Sequence, residues 1–352
     1  MARPLNMEIC RRLEELIRAG RDSRNGLLPP ERTLAARFEV GRSVIRNSLF
    51  ELERQGLVRL IPARGWSIAT ARRQKRNRLR RILICVPFTL REKAWEQQAI
   101  LAAVCRKSSE FFTEAVFSFL ERITDVEGII GQVRRGELQG IVFIEQLADE
   151  QAYRRLRAEG VPCVFINPET DIEDAVGCGM DFYDIGFRAG RLLLDAGHTR
   201  IGAAAGDRSA MIFRDMLQGF RDALAERDVD LPEKRIVLIR PGDEESPGMK
   251  AMLSSPKRPS AVFAMRDFRS ALVCRTAKEL NLSVPGDLSL VSYDDITWPG
   301  AKEKGLTTFR EDIEGMSSAV MEMLRDWSLA GVEPQSRKLR AELIERGSVR
   351  RI

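Results

Sequence analysis

Four polar side chains, Arg42, Ser43, Arg46 and Asn47, fall on one face of a short helical pattern whose other face carries Val44, Ile45, Leu49 and Leu52. Arginine offers a planar fork of donors that matches O6 and N7 of guanine. Two arginines near the N-terminal end of a helix therefore have the chemistry of major-groove base reading.

The flanking elements are those such a helix needs. Pro30 suits the first position of a preceding helix, where its missing N–H is not required, and Leu34, Ala35 and Phe38 recur on one face of it. A turn is expected at Glu39, Val40 and Gly41, then the second helix from about Arg42 to Gln55, stopped by Gly56. Upstream, Leu5, Ile9, Leu13, Leu16 and Ile17 have helical spacing and can cover the other two helices. Downstream, Val58–Leu60 and Trp66–Ile68 can pair around residues 62–65, placing Arg64 at the tip of a basic wing. Helix, turn, helix and hairpin in this order make a winged helix-turn-helix.

Charge divides the chain in the same place. Residues 1–81 hold 20 lysines and arginines against 8 acids, a formal +12, while the remainder holds 37 against 43, a formal −6. A basic module on an acidic body directs nucleic acid to one end, because each neutralised phosphate releases counterions. The segment Ala71–Arg81 has seven basic residues in eleven and almost nothing apolar, so it is expected as an extended linker adding sequence-independent phosphate contacts.

The run from Leu28 to Ile68 resembles the GntR family of DNA-binding domains over about the first seventy residues. The resemblance implies that Arg32 holds a phosphate, that Arg42 and Arg46 read bases with Ser43 and Asn47 beside them, and that Arg64 and Gly65 approach the minor groove. Pro30 stands where that family usually has serine, and Gly41 where it has serine or threonine, so the operator sequence does not carry over.

Beyond Arg81, short apolar runs alternate with helical stretches: ILICV at 82–86, AVFSFL at 115–120, GIVFI at 140–144 and PCVFI at 162–166. The rhythm continues with VGCGMD at 176–181, RIGAAAG at 200–206, RIVLI at 235–239, SAVFAM at 260–265 and LSLVSYDD at 288–295. This is the pattern of parallel sheets covered by helices, in two halves that would enclose a cleft. The fold class is α/β.

The landmarks AGHTRIGAAAG at 196–206, QGFRDAL at 218–224, PSAVFAMRD at 259–267, SVPGDLSLVSYDDI at 283–296, LTTFRED at 306–312 and AELIERGS at 341–348 make residues 82–352 similar to the effector domain of the LacI/GalR family. That resemblance implies two Rossmann-like subdomains of a type I periplasmic-binding-protein-like fold, three crossovers, and a sugar-like effector in the cleft. GntR-type heads on LacI-type bodies form a hybrid class similar to arabinose repressors. The expected domains are 1–70, the linker 71–81, and the body 82–352, its N-subdomain about 82–167 and 300–330 and its C-subdomain about 168–299 and 331–352.

By the same resemblance Asp267 would accept ligand hydroxyls, although its partner asparagine is here Arg266. Met216 stands where a ligand-binding arginine is common, and Arg214 lies two residues earlier. Phe88, Thr89, Glu145, Tyr293 and Glu311 follow strands and are further cleft candidates. Tyr293 serves equally as hydrogen-bonded core, and Asp294 or Asp295 as a cap or turn. His198, the only histidine, is expected to be structural.

Several function classes are disfavoured. A lone histidine and six scattered cysteines give no metal or zinc pattern, and no nucleophile-elbow or phosphate-loop motif occurs. No apolar run reaches membrane-spanning length and the N-terminus lacks a signal-peptide core, so a cytoplasmic location is expected. The chain is expected to be no enzyme and to need no cofactor. The favoured reading is a homodimeric repressor of carbohydrate genes whose partners are operator DNA and a small sugar-like effector. An effector-independent repressor and a sugar-processing enzyme fused to a DNA-binding head are the alternatives.

Overall fold

The computed structural model describes residues 3–19, 27–54, 57–61, 65–68, 79–87, 94–120, 125–145, 150–168, 172–295 and 305–352. The expected helix stop at Gly56, the hairpin tip with Arg64, linker residues 71–78, and Phe88 and Thr89 lie outside the described residues, as does the Leu5 side chain. The chain divides into two units, Met1–Leu79 and Arg80–Ile352.

The first unit is built on a single apolar cluster. Helix α1 (Arg3–Ala19) contributes Ile9, Leu13, Leu16 and Ile17, α2 (Glu31–Phe38) contributes Leu34, Ala35 and Phe38, and α3 (Arg42–Arg54) contributes Ile45, Leu49 and Leu52. Pro30 caps α2 from just outside it, and Glu39 closes α2 with φ 54. Strands β1 (Val58–Ile61) and β2 (Gly65–Ile68) pair antiparallel with Leu60 opposite Trp66. Leu28 donates its N–H to the Trp66 carbonyl at 2.7 Å, so the approach to α2 is stitched to the hairpin.

The second unit is a two-lobed α/β body. One sheet has the order β13-β7-β6-β5-β3-β4, with β3 Arg81–Pro87, β4 Glu114–Leu120, β5 Ile141–Ile144, β6 Cys163–Ile166, β7 Gly177–Met180 and β13 Arg337–Leu339. Every pairing in it is parallel. The other has the order β14-β12-β11-β10-β8-β9, with β8 Ile201–Ala205, β9 Ile236–Leu238, β10 Ala261–Ala264, β11 Ser289–Asp294, β12 Thr307–Arg310 and β14 Glu342–Ile344. It is parallel except for β14 against β12. Strands β5, β6, β8 and β10 are buried along their whole length, as continuous apolar strands covered on both faces must be.

The crossovers fall elsewhere than the sequence expectation put them. Strand β7 belongs to the first sheet, although 168–299 was assigned to the other lobe. Strand β12 lies in the second sheet although it falls in 300–330, and β13 returns to the first although it falls in 331–352. Helix Ile313–Ala330 does pack on the first lobe: Ser328 Oγ donates to the Gln139 carbonyl at 2.6 Å, and the Trp327 ring lies 4.5 Å below the Arg157 guanidinium. The chain therefore passes between lobes after Met180, after Arg310 and after Leu339. Strands of three or four residues rich in glycine, threonine or charge carry too little apolar periodicity to reveal which sheet they join.

Candidate functional site

In the first unit, Arg42, Ser43, Arg46 and Asn47 are exposed along one side of α3, and Arg32 is exposed on α2. Gly65 has φ 94 with nothing within 4 Å of where a Cβ would stand, so it opens β2 in a conformation that suits glycine. Arg46 is exposed but not loose. Its Nε and Nη2 donate to the Glu31 carboxylate at 3.1 and 2.9 Å, and the Trp66 indole Nε1 donates to the same carboxylate at 3.1 Å. The Arg46 hydrogen bond holds the Glu31 carboxyl below its ordinary value, with help from Trp66, and Glu31 in turn raises Arg46. Glu31 was missed in the sequence because fifteen residues and a turn separate it from Arg46.

In the second unit, the chain leaves β7 and β13 for the second lobe, and β12 for the first, at the C-terminal ends of the strands. Those two sheet edges therefore face the same crossing, the place where ligands bind in open parallel sheets. Five non-glycine residues with positive φ stand at C-terminal strand ends of the two sheets: Glu145 (57°) after β5 and Asn167 (51°) after β6 in the first, Arg266 (143°) after β10 and Asp294 (120°) and Asp295 (54°) at the end of β11 in the second. Such conformations cost about 1–3 kcal/mol each and persist where the surrounding structure enforces them, commonly at functional sites.

At the second sheet these strand ends form a buried polar cluster. Arg266 Nη1 lies 3.4 Å from Asp294 Oδ1, and the guanidinium stands 5.8 Å from the Tyr293 ring centre. Thr308 Oγ1 donates to Asp267 Oδ1 at 3.1 Å, and the Tyr293 hydroxyl donates to the Glu311 carboxylate. Asp295 is bound by Arg310 and Arg346 at 2.7 and 2.6 Å. Tyr293 also meets the Phe182 ring edge-on at 6.1 Å, just where the first crossover enters the second lobe. Thus Tyr293 is both fully buried and tied to a candidate residue, Glu311, and Asp294, besides pairing with Arg266, accepts the Asp267 N–H at 3.4 Å at the start of helix Asp267–Glu279, as a capping carboxylate does. Asn167 is fully buried and its amide oxygen and nitrogen have no hydrogen-bond partner among the described residues. Such groups are rare, and a polar ligand at this strand end would satisfy both.

Two candidates are placed differently from the expectation. Met216 is fully buried in the contact between helices Phe182–Asp195 and Met211–Ala225, where a Cβ on Gly186 would stand 1.9 Å from the Met216 carbonyl oxygen. It is packing, demanded by that close helix approach. Arg214 has a half-exposed side chain whose Nε lies 3.8 Å from Asp215. An unforeseen arginine lies near the cluster: Arg269 is 1% exposed, held between Phe213 and Phe268 at 4.5 and 4.3 Å. It donates to the carbonyls of Ile239 and Met265 at 2.9 and 3.0 Å. Burial, helped by the nearby Arg266 charge, pushes Arg269 down to about 9, still protonated at neutral pH.

His198 is buried away from these edges. Its Nδ1 meets Ser260 Oγ at 2.8 Å, and its Nε2 meets Ser289 Oγ at 2.9 Å and the Arg350 carbonyl at 3.2 Å, fastening the last residues to the sheet. Burial lowers its pKa. No group of three or more histidine, cysteine or acidic side chains suited to a metal occurs among the described residues, and no described helix is long and apolar enough to cross a membrane.

Comparison with known proteins agrees with this architecture. Residues 5–68 match bacterial regulatory proteins of the gntR family, and residues 191–349 match the periplasmic binding protein-like domain. The HTH-type transcriptional repressor PurR of Escherichia coli is 35% identical over 172 residues, 47% of this chain and 50% of the repressor. The chain thus matches curated relatives over about half their length. Among solved structures, a transcriptional regulator CelR–cellobiose complex superposes with a TM-score of 0.64 at 21% identity, over 91% of this chain and 99% of that one. The transcription regulator CcpA of Lactococcus lactis gives 0.62 at 17%, over 77% of this chain and 100% of that one. At these identities the two structures speak for the fold. The chain therefore joins a segment similar to gntR-family regulatory proteins, residues 5–68, to a body of the type I periplasmic-binding-protein-like fold that includes residues 191–349, and shares 172 residues of homologous sequence with the repressor PurR.

Proposed function

We propose that the protein is a sequence-specific DNA-binding transcriptional regulator, acting as a repressor of carbohydrate-related genes under control of a small sugar-like effector. The observation that carries the reading is the exposed row Arg42, Ser43, Arg46 and Asn47 on the second helix of a winged helix-turn-helix. Arg32 would hold a phosphate, Arg64 and Gly65 would approach the minor groove, and the basic segment 71–81 would add sequence-independent contacts. The protein acts as a cytoplasmic homodimer, placing two heads on one pseudo-palindromic site, because a single winged helix offers too small an interface for a specific complex.

The effector is assigned to the facing strand ends. Glu145, Asn167, Asp267, Tyr293 and Glu311 are the polar groups that would meet it, with Phe88 and Thr89, which follow β3 in sequence, and Arg214 at the margin. A carboxylate-rich, amide-bearing lining suits a hydroxyl-rich molecule, and the cellobiose bound by the CelR neighbour has that chemistry. An effector acts by binding the open and closed arrangements of the lobes unequally. One observation favours a second reading, an effector-independent repressor. The Arg266 guanidinium already lies against Asp294 inside the cluster, where a ligand would otherwise donate. Selection of duplexes from a random pool by the full chain, followed by a thermal-shift screen of mono- and disaccharides, tests both. No selected consensus refutes DNA reading; a consensus with no saccharide shift favours the second reading.

A further inference from the structure

A tryptophan of the hairpin and an arginine of α3 hold the same carboxylate, and this arrangement fixes more than packing requires. Glu31, in the first turn of α2, accepts from Trp66 Nε1 on Oε1 at 3.1 Å and from Arg46 Nη2 on Oε2 at 2.9 Å, while Arg46 Nε bridges the two oxygens at 3.2 and 3.1 Å. A guanidinium has five N–H donors in a rigid plane. Glu31 engages the Nε–Nη2 edge, which leaves the Nη1–Nη2 fork facing away from it. That fork makes the paired hydrogen bonds to guanine O6 and N7.

The support is itself locked. Trp66 is 3% exposed, its carbonyl accepts from Leu28, and its ring packs edge-on to Phe50 at 5.2 Å. Indole is only a donor, so the buried N–H has one direction to give and gives it to Glu31. A long arginine left unsupported would lose rotamer freedom each time it met a base. Held in advance, it has less to lose.

We propose that Trp66 is a positioning residue for base reading: through Glu31 it sets the Arg46 fork, so that hairpin and recognition helix read as one unit. The inference rests on the DNA-binding reading above. Trp66→Phe keeps an aromatic ring facing Phe50 and deletes the indole N–H together with part of the buried ring volume. The full chain first selects a consensus from a random duplex pool, and affinities are then measured for the consensus and each single-base-pair variant. Trp66→Phe is expected to lose roughly three- to tenfold discrimination at the base pair where Arg46→Ala loses it, and nowhere else. Its salt slope is expected to stay unchanged because no phosphate contact is removed. In an Arg46→Ala background, Trp66→Phe should cost nothing further.

A loss equal at every base pair, or one additive with Arg46→Ala, would mean a structural role and overturn the proposal. So would unchanged discrimination. If Trp66→Phe does not fold, Glu31→Gln, which keeps an acceptor for the indole and removes the charge from the Arg46 grip, must show the same position-specific loss or the proposal fails. A wild-type chain that selects no consensus would overturn the DNA-binding reading itself, an outcome distinct from a consensus that ignores Trp66.

Discussion

Replacing Arg266 by alanine and by glycine should give two different stabilities, and their order tests whether the strand-end cluster is strained. Arg266 has φ 143 and ψ 147, a region populated essentially by glycine, and is held there while its guanidinium pairs with Asp294, both side chains 5% exposed. Either substitution removes one partner of a buried pair, at a cost of about 3–5 kcal/mol. Only glycine also releases the backbone, which returns about 1–3 kcal/mol, less the roughly 0.5–1 kcal/mol that glycine loses in chain entropy. Arg266→Gly should therefore be more stable than Arg266→Ala by about 1–2 kcal/mol. In a lobed body of this size that is a melting difference of roughly 2–8 °C, readable by scanning calorimetry on the full chain. If the alanine variant melts at or above the glycine variant, the backbone at Arg266 stores no strain and the cluster loses that argument for function.

Three further outcomes follow from the same geometry. Gly186→Ala should destabilise the body by about 1–3 kcal/mol, since its Cβ would meet the Met216 carbonyl at 1.9 Å; a melting temperature within a degree of wild type would remove the close helix contact as the reason Met216 is buried. Burial depresses His198, so its contribution to stability is full above the ordinary histidine value of 6.5 and is lost as pH falls from there through the lower folded value. The melting temperature of His198→Gln should be flatter than wild type between pH 7 and 5, and parallel curves would contradict this. Asp267→Asn should weaken the effector found by screening by about 1–3 kcal/mol in calorimetry and leave effector-free DNA affinity unchanged, because Asp267 is 4% exposed and already accepts from Thr308; equal affinities would remove it from the site.

The elements that carry strong apolar periodicity were legible in the sequence. The order of α1 to α3 and the hairpin, and the buried runs of β3, β5, β6, β8 and β10, fall within a residue or two of the expected spans, because burial on one or both faces writes itself into a local pattern. Lobe membership was not legible. Gly177–Met180 joins the first sheet beside β6, and Arg337–Leu339 joins it only through Gly177–Met180, across more than 150 residues of chain, and no local pattern records that. The site divides the same way. Arg42 and Arg46 declare themselves by type and spacing, whereas Glu31 acts on Arg46 only through the folded turn. A single asparagine after a strand ordinarily marks a turn, so the sequence does not single out Asn167; its fully buried amide, without a hydrogen-bond partner among the described residues, exists only in three dimensions. Met216 occupies a family landmark, but Gly186, which faces it, decides that it packs between helices.

The central claim is that the exposed arginines of α3 read bases. Its most direct test is the affinity of the full chain for its selected consensus and for every single-base-pair variant, with wild type and with Arg42→Ala and Arg46→Ala together. The account predicts a loss of discrimination on the order of tenfold or more at a few symmetry-related positions, with weak residual binding that depends steeply on salt. Undiminished discrimination in the double variant would contradict it.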